Sequence, residues 1–436
     1  MTPTIEKKLK AIQAGKVPAG YRKTAVGIVP KEWEVVRFYD KFLRITRKNA
    51  EGNTNVLTIS AQHGLINQND FFKKNIASED KSNYYLLRKG EFAYNKSYSN
   101  GYPFGALKRL DFYDKGIVSP LYICFAANDS NRCSDFYVHY FEAGLMNREI
   151  QAFAQEGARN HGLLNISVDD FFKANLLSPP LPEQRKIAEI LTAQDRVIAL
   201  KEKLVAEKRK QKKFLMQRLF SADDMRPFKI NEVIIDKNKW KKIPASEILT
   251  ERTETKGGQK LRICSVAVHD GVIDQLKHLG KSMAAADTSK YGVAHYGDIV
   301  YTKSPTGLFP YGIIKQNLLQ ECVAVSPLYG IFKPINIDLG YLLHEYFSYP
   351  CNANNYLHPI INKGAKNTIL IANQTFLQPQ LFMPLAVKET SAIAEVLSAA
   401  DREISLREQD LEQERKKKKS LMQLLLSGIV RVNIQI

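Results

Sequence analysis

The chain has 436 residues, with 63 Lys and Arg against 45 Asp and Glu and a formal net charge of +18. That length predicts two or three domains, and the charge points to a polyanionic partner: nucleic acid, an anionic membrane or a ribosome. No run of 18 apolar residues is present, which argues against a membrane-spanning helix, and the N-terminal stretch lacks a secretory apolar segment.

In chain order, residues 1–24 form a basic N-terminal extension, and a first module runs over 25–178. In it, apolar runs such as GIVSPLYICF, bounded by Gly, Pro and Asn, predict strands, and DFYVHYFEAGLMNREIQAFAQ has helical spacing. Residues 179–221 carry a 4-3-4-3 apolar seam: Ile187, Leu191, Gln194, Ile198, Lys201, Val205, Lys208, Lys212, Leu215, Leu219. A linker, 222–235, leads to a second module over 236–384, and a second helical region fills 385–436. Its seam reads Ile393, Leu397, Ala400, Ile404, Arg407, Leu411, Glu414, Lys418, Leu421, Leu425.

The second half repeats the first. GEFAYNKSYSNGYPFG at 90–105 faces GDIVYTKSPTGLFPYG at 297–312, an offset of 207. At the same offset stand the only two tryptophans, Trp33 and Trp240, the stretches SPLYICF and SPLYGIF, and GARN (157–160) against GAKN (364–367). IAEIL and IAEVL, then LMQRLFS and LMQLLLS, follow at 206. The chain is therefore two copies of a unit made of an α+β module and a long helix. A helix with so polar a seam is marginal alone, so the two helices are expected to pair. An antiparallel pair gives the duplicated halves a pseudo-two-fold axis. Two equivalent basic runs, KRKQKK (208–213) and RKKKKS (415–420), read either as solvated helix faces or as contacts to a polyanion.

Catalytic signatures do not emerge. GKS at 280–282 lacks the upstream glycine of a phosphate loop, since Gln275 stands there. There is no GxSxG elbow, no glycine-rich cofactor loop, and no zinc spacing among the eight histidines. The five scattered cysteines contain no CxxC pair and fit reduced thiols in a cytoplasm. The repeat instead keeps small polar and basic residues beside glycine-rich turns. Lys96, Ser97 and Asn100 in the first copy, and Lys303, Ser304 and Thr306 in the second, follow equivalent strands. Arg159 and Asn160 recur as Lys366 and Asn367. Such side chains donate to phosphates and base edges, which makes these ten the candidate DNA-binding residues. Tyr94 and Tyr301 alternate with apolar neighbours and are expected in the core.

SPPLPEQRKIAEIL at 178–191, followed by the long helix, and VGIVPKEWEVVRF from Val26 resemble the specificity subunits of type I restriction-modification systems. The resemblance runs from about Val26 to Val430. It implies two pseudo-symmetric α/β target-recognition domains separated by two long helices paired as an antiparallel coiled coil. It further implies a non-catalytic reader of double-stranded DNA. Two modification (methyltransferase) subunits and motor-nuclease subunits would be its partners, and S-adenosylmethionine, ATP and Mg would belong to them rather than to this chain. Copy two has MPLAVKETSAIAEVL where copy one has PPLPEQRKIAEIL, so the Glu-Gln-Arg is expected to be lost there. The N-terminal extension is expected to cap the second helical region. Two other readings keep the architecture: a coiled-coil adaptor with two protein-binding modules, and the reader of a system whose nuclease and methyltransferase are fused.

Overall fold

The structure, a computed structural model, describes residues 3–60, 63–71, 80–98, 101–128, 133–156, 164–221, 224–280, 287–363 and 369–433. Two compact units emerge, and they do not follow the halves of the repeat. One comprises Met1–Glu202 with Gln409–Ile436, the other Lys203–Glu408. Each holds one module together with part of both long helices.

In the first unit, strands β1 (Phe42–Ile45), β2 (Phe92–Asn95), β3 (Ala106–Arg109) and β4 (Ile123–Ala127) form an antiparallel sheet in the order β1-β4-β2-β3. Helix α1 (Ser134–Glu142) covers it. The core between them is largely aromatic: Phe38, Phe42, Phe92, Tyr94, Phe125, Phe136, Tyr137, Tyr140, Phe141 and Phe171 are all buried. Their rings meet edge-on or offset, as in Phe42 against Phe125 and Tyr94 against Phe171. The helical run read from the sequence is broken at Gly144, which takes a left-handed φ of 69° before a second short helix, Asn147–Phe153.

The second unit repeats the sheet. Strands β5 (Leu249–Glu251), β6 (Ile299–Thr302), β7 (Ile313–Gln316) and β8 (Gly330–Pro334) lie in the order β5-β8-β6-β7, and helix α2 (Ile337–Phe347), capped by Asn336, covers them. A further four-stranded sheet includes Arg262–Ala267 running parallel to Val323–Val325. In the first unit the matching link is a single parallel bridge, Val56 to Ile117. Tyr94 and Tyr301 are fully buried, as their alternation predicts.

The long helices run over Leu181–Phe220 and Val387–Leu425. Within each unit they pack antiparallel. In the first, Asp195 meets Lys418 at 2.6 Å and Lys201 meets Asp410 at 2.8 Å; in the second, Lys208 meets Glu403 at 3.0 Å and Lys212 meets Asp401 at 2.5 Å. The ends of the seams also reach module cores. Ile187, Leu191, Met422 and Leu425 join the first aromatic core. Met216, Leu219, Ile393 and Leu397 pack with Trp240, Tyr341 and Leu342 in the second unit. The helices thus pair with each other and lie on the modules, and only the seam centre is polar.

The N-terminal extension contains a helix, Pro3–Gln13. Lys8 Nζ donates to the Ile429 carbonyl at 3.2 Å, and the Tyr21 hydroxyl donates to the Gly428 carbonyl at 2.6 Å. These bonds satisfy carbonyls just beyond the end of the second long helix.

Candidate nucleic-acid interface

The repeated 16-residue stretch is a strand followed by a loop closed in the same way in both modules. The Tyr94 hydroxyl donates to the Phe104 carbonyl at 2.8 Å, and the Tyr301 hydroxyl to the Tyr311 carbonyl at 2.7 Å. Gly105 and Gly312 end the loops with φ of 79° and 101°. A Cβ on either would collide with the carbonyl oxygen of Asn95 or of Thr302. The acid after the first glycine fixes the strand's start. Glu91 accepts both bonds from Arg47 at 2.7 Å, and Asp298 binds Arg252 at 2.6 and 3.1 Å. Those pairs and the tyrosine bonds are scaffold.

What the scaffold presents is the Lys-Ser pair. Lys96 and Ser97 follow β2, both half-buried; Lys303 follows β6 half-buried, with Ser304 and Thr306 exposed beyond it. The Ser97 N–H donates to Asn95 Oδ1 and the Ser304 N–H to Thr302 Oγ1, so both turns are held by the residue before the lysine. Thr306 and Phe309 bond each other's backbones at 2.8 and 3.0 Å, which buries Phe309. Burial pulls the Lys303 ammonium below its ordinary value, and the charge of Glu251 opposes the shift. Glu251 is in turn held by Asn373 at 2.7 Å and Gln374 at 3.2 Å. Sequence reasoning missed this carboxylate, because nothing local marks a residue 52 positions from its lysine.

Asn100, Arg159, Asn160, Lys366 and Asn367 lie outside the described residues. The strands that flank them are described. Gln155–Glu156 pairs with Leu164–Asn165, and Asn362–Lys363 pairs with Ile369–Leu370. In the first unit the Leu164 N–H donates to the Lys96 carbonyl at 3.1 Å. The strands that flank GARN and the Lys-Ser turn are therefore neighbours in the first module.

Other cations are committed within the fold. A cleft of about 900 Å³ in the first unit is lined by Lys108, Arg109, Phe112, His139, Glu142, Asp195 and Lys418, among others. Lys108 pairs with Glu142, Arg109 with Asp111 and Asp135, and Lys418 with Asp195. The two basic runs correct the sequence reading as well, because many of their charges tie one helix to the other. Lys208, Arg209 and Lys212 meet Glu403, Glu408 and Asp401, while Arg415 meets Glu202. Lys210, Lys213, Lys416 and Lys419 stay exposed and form no salt bridge among the described residues.

The motifs that carried the resemblance prove to be two halves of one lock. Trp33 Nε1 donates to Glu183 Oε2 at 2.9 Å, and Arg431 donates to the same carboxylate at 2.7 and 2.9 Å. Glu183 and Gln184 are buried, and Gln184 donates to the Pro179 carbonyl, which leaves Arg185 as the exposed member of the three. The expectation that copy two loses this glutamate is wrong. At the 206 offset it survives as Glu389, which accepts from the Asp236 N–H at 2.9 Å. Trp240 Nε1, in contrast, is buried with no partner among the described residues.

Residues 30–207 match the type I restriction modification DNA specificity domain. Two proteins of Methanocaldococcus jannaschii are similar. The type I restriction enzyme MjaVIII specificity subunit is 23% identical over 309 residues, 65% of this chain and 68% of that one. The putative type I restriction enzyme MjaX specificity subunit is 22% identical over 435 residues, covering 94% and 97%. Among solved structures, the type I restriction-modification system S subunit from M. genitalium shares the fold, with a TM-score of 0.54 at 12% identity over 92% of this chain and 97% of that one.

The fold is thus two α/β modules with paired antiparallel helices. The matched domain and the two relatives bear out the resemblance read from the sequence, which is to the specificity subunits of type I restriction-modification systems. No helix among the described residues is long and apolar enough to cross a membrane.

Proposed function

We propose that each module reads one half of a bipartite DNA target, and that the paired helices set the unread spacer and dock two adenine-methyltransferase subunits. The chain itself is non-catalytic. S-adenosylmethionine, ATP and Mg act in the methyltransferase and motor-nuclease partners. The observation that carries this reading is the duplicated strand end: β2 and β6 hold equivalent inner positions in equivalent sheets, and each delivers a lysine and a serine into a loop closed by the same tyrosine bond. The loops differ around that frame, with Tyr98 where the second copy has Pro305, and Asn100 where it has Gly307. A common frame with different side chains suits two half-sites of different sequence. Pseudo-two-fold symmetry likewise suits a duplex held by two copies of a modifying subunit.

The test is the methylation pattern of cellular DNA with the neighbouring methyltransferase present and this chain either present or deleted. A split motif with one methylated adenine in each half, seen only with the chain, is the expected result. Identical patterns in the two strains contradict the reading and favour the protein-binding adaptor.

A further inference from the structure

A second repeated device lies beside the lysines. Ser119-Pro120-Leu121-Tyr122 and Ser326-Pro327-Leu328-Tyr329 are the same turn at an offset of 207. In each, the tyrosine N–H donates to the serine carbonyl at 3.0 Å and the leucine N–H to the serine Oγ at 3.3 Å. The turn explains most of its own sequence. Serine suits the first position of a β-turn and proline the second, and the half-buried tyrosines lead into β4 and β8. It does not explain the leucine. The third position favours small polar residues or glycine, yet both copies keep a leucine there, 64% and 73% exposed. A lone exposed leucine is ordinary; the same one kept in both modules, with no packing role, is not.

Sheet register says what these leucines stand next to. Ile123 pairs with Tyr94 and Gly330 with Tyr301, both antiparallel. The pairing stops there; continued two residues further, the same register brings Leu121 to the level of Lys96 and Leu328 to the level of Lys303. Past the end of its central strand pair, each module therefore carries an exposed leucine on the turn of one strand and a lysine and serine on that of the other. A lysine that anchors on a phosphate would leave the leucine facing the bases. Apolar side chains in that position enter between base pairs and unstack them, and unstacking lowers the cost of extruding a base for chemistry.

We propose that Leu121 and Leu328 are paired wedges, one per half-site, each pressing into the base stack of the DNA its module reads. The proposal rests on the half-site reading above. The neighbouring lysine favours DNA as the occupant over an apolar pocket on a protein partner.

The experiment uses the full chain assembled with its neighbouring modification subunits. Duplexes of the methylation-mapped target carry 2-aminopurine in one half or the other. Leu121→Ser and Leu328→Ser suit the turn, so folding is not at stake, and Leu121→Met serves as the apolar control. The expected result is that each serine variant loses the fluorescence rise in one half only, the two variants affecting opposite halves. Affinity should fall roughly tenfold with an unchanged salt dependence, and Leu121→Met should behave as the parent. Unchanged fluorescence and affinity in both serine variants would overturn the wedge while sequence selectivity of the parent stands. Loss of assembly with the modification subunits at unchanged DNA affinity would overturn it in favour of a protein contact. If the parent complex shows no sequence preference at all, the half-site reading fails and takes the wedge with it.

Discussion

At Gly105 and Gly312 the chain has no room for a Cβ, and that absence closes the two candidate recognition loops. Gly312→Ala should cost about 2–3 kcal/mol, through backbone collision added to an unfavourable φ. Gly307→Ala, in the same loop at φ 51° with nothing within 4 Å, should cost only about 1 kcal/mol. Thermal or denaturant melts of the two variants separate these outcomes. A similar contrast holds for the tryptophans. Trp33→Phe and Trp240→Phe remove the same ring volume, but only the first breaks a bond to a buried carboxylate. Trp33→Phe should therefore destabilise by about 1–2 kcal/mol more than its counterpart. Equal losses would mean that the Glu183 lock contributes little. The sequence shows these tryptophans to be equivalent; it does not show that their indole nitrogens differ, because the partner carboxylate lies 150 residues away.

At the scale of elements, the long helices are legible from their heptads and the polarity of their seam centres is legible too. Their charge pairing is not. The basic runs look like solvated faces or DNA contacts until the antiparallel partner is in place, since Lys212 finds Asp401 across 189 residues. Lys212 also reaches Glu345 of α2 at 2.7 Å, and that carboxyl belongs to a buried cluster with Tyr341, His344 and Lys315 nearby. Burial, with Asp401 adding to it and Lys212 opposing, pushes Glu345 up to about 7. A carboxyl whose pKa is raised on folding contributes stability that is fully present below its ordinary value near 4.5. That contribution is lost as pH rises through about 7. His344 acts oppositely, because burial and then the charges of Lys315 and Lys212 hold it well below its usual range. It therefore penalises the fold at low pH. The comparison that isolates Glu345 is the parent against Glu345→Gln, by denaturant melts from pH 5 to 8. The parent should lose stability relative to the variant across that interval, and parallel curves would contradict the assignment.

For the whole molecule, the duplication and the helix pairing are legible in offsets of 206 and 207. The candidate site was readable only in part. Lys96 and Lys303 stand at the ends of equivalent inner strands, as the repeat implies, but Glu251 comes to Lys303 through the fold, which local sequence does not announce. The assortment of each helix between two compact units was likewise hidden, because it follows from the antiparallel pairing and not from chain order.

If two readers are set apart by a helical ruler, removing one matched heptad from each long helix must shorten the unread spacer. Deleting 198–204 together with 408–414 removes segments that face each other, as the Lys201–Asp410 and Lys201–Glu414 pairs show. Seven residues are about 10.5 Å of helix, or roughly three base pairs of duplex. Seven residues also make nearly two whole turns, so the seams still face one another. The methylated motif of this variant should keep both half-sites and shorten its spacer by about three base pairs. An unchanged spacer, or a change in the bases of either half, would contradict the account.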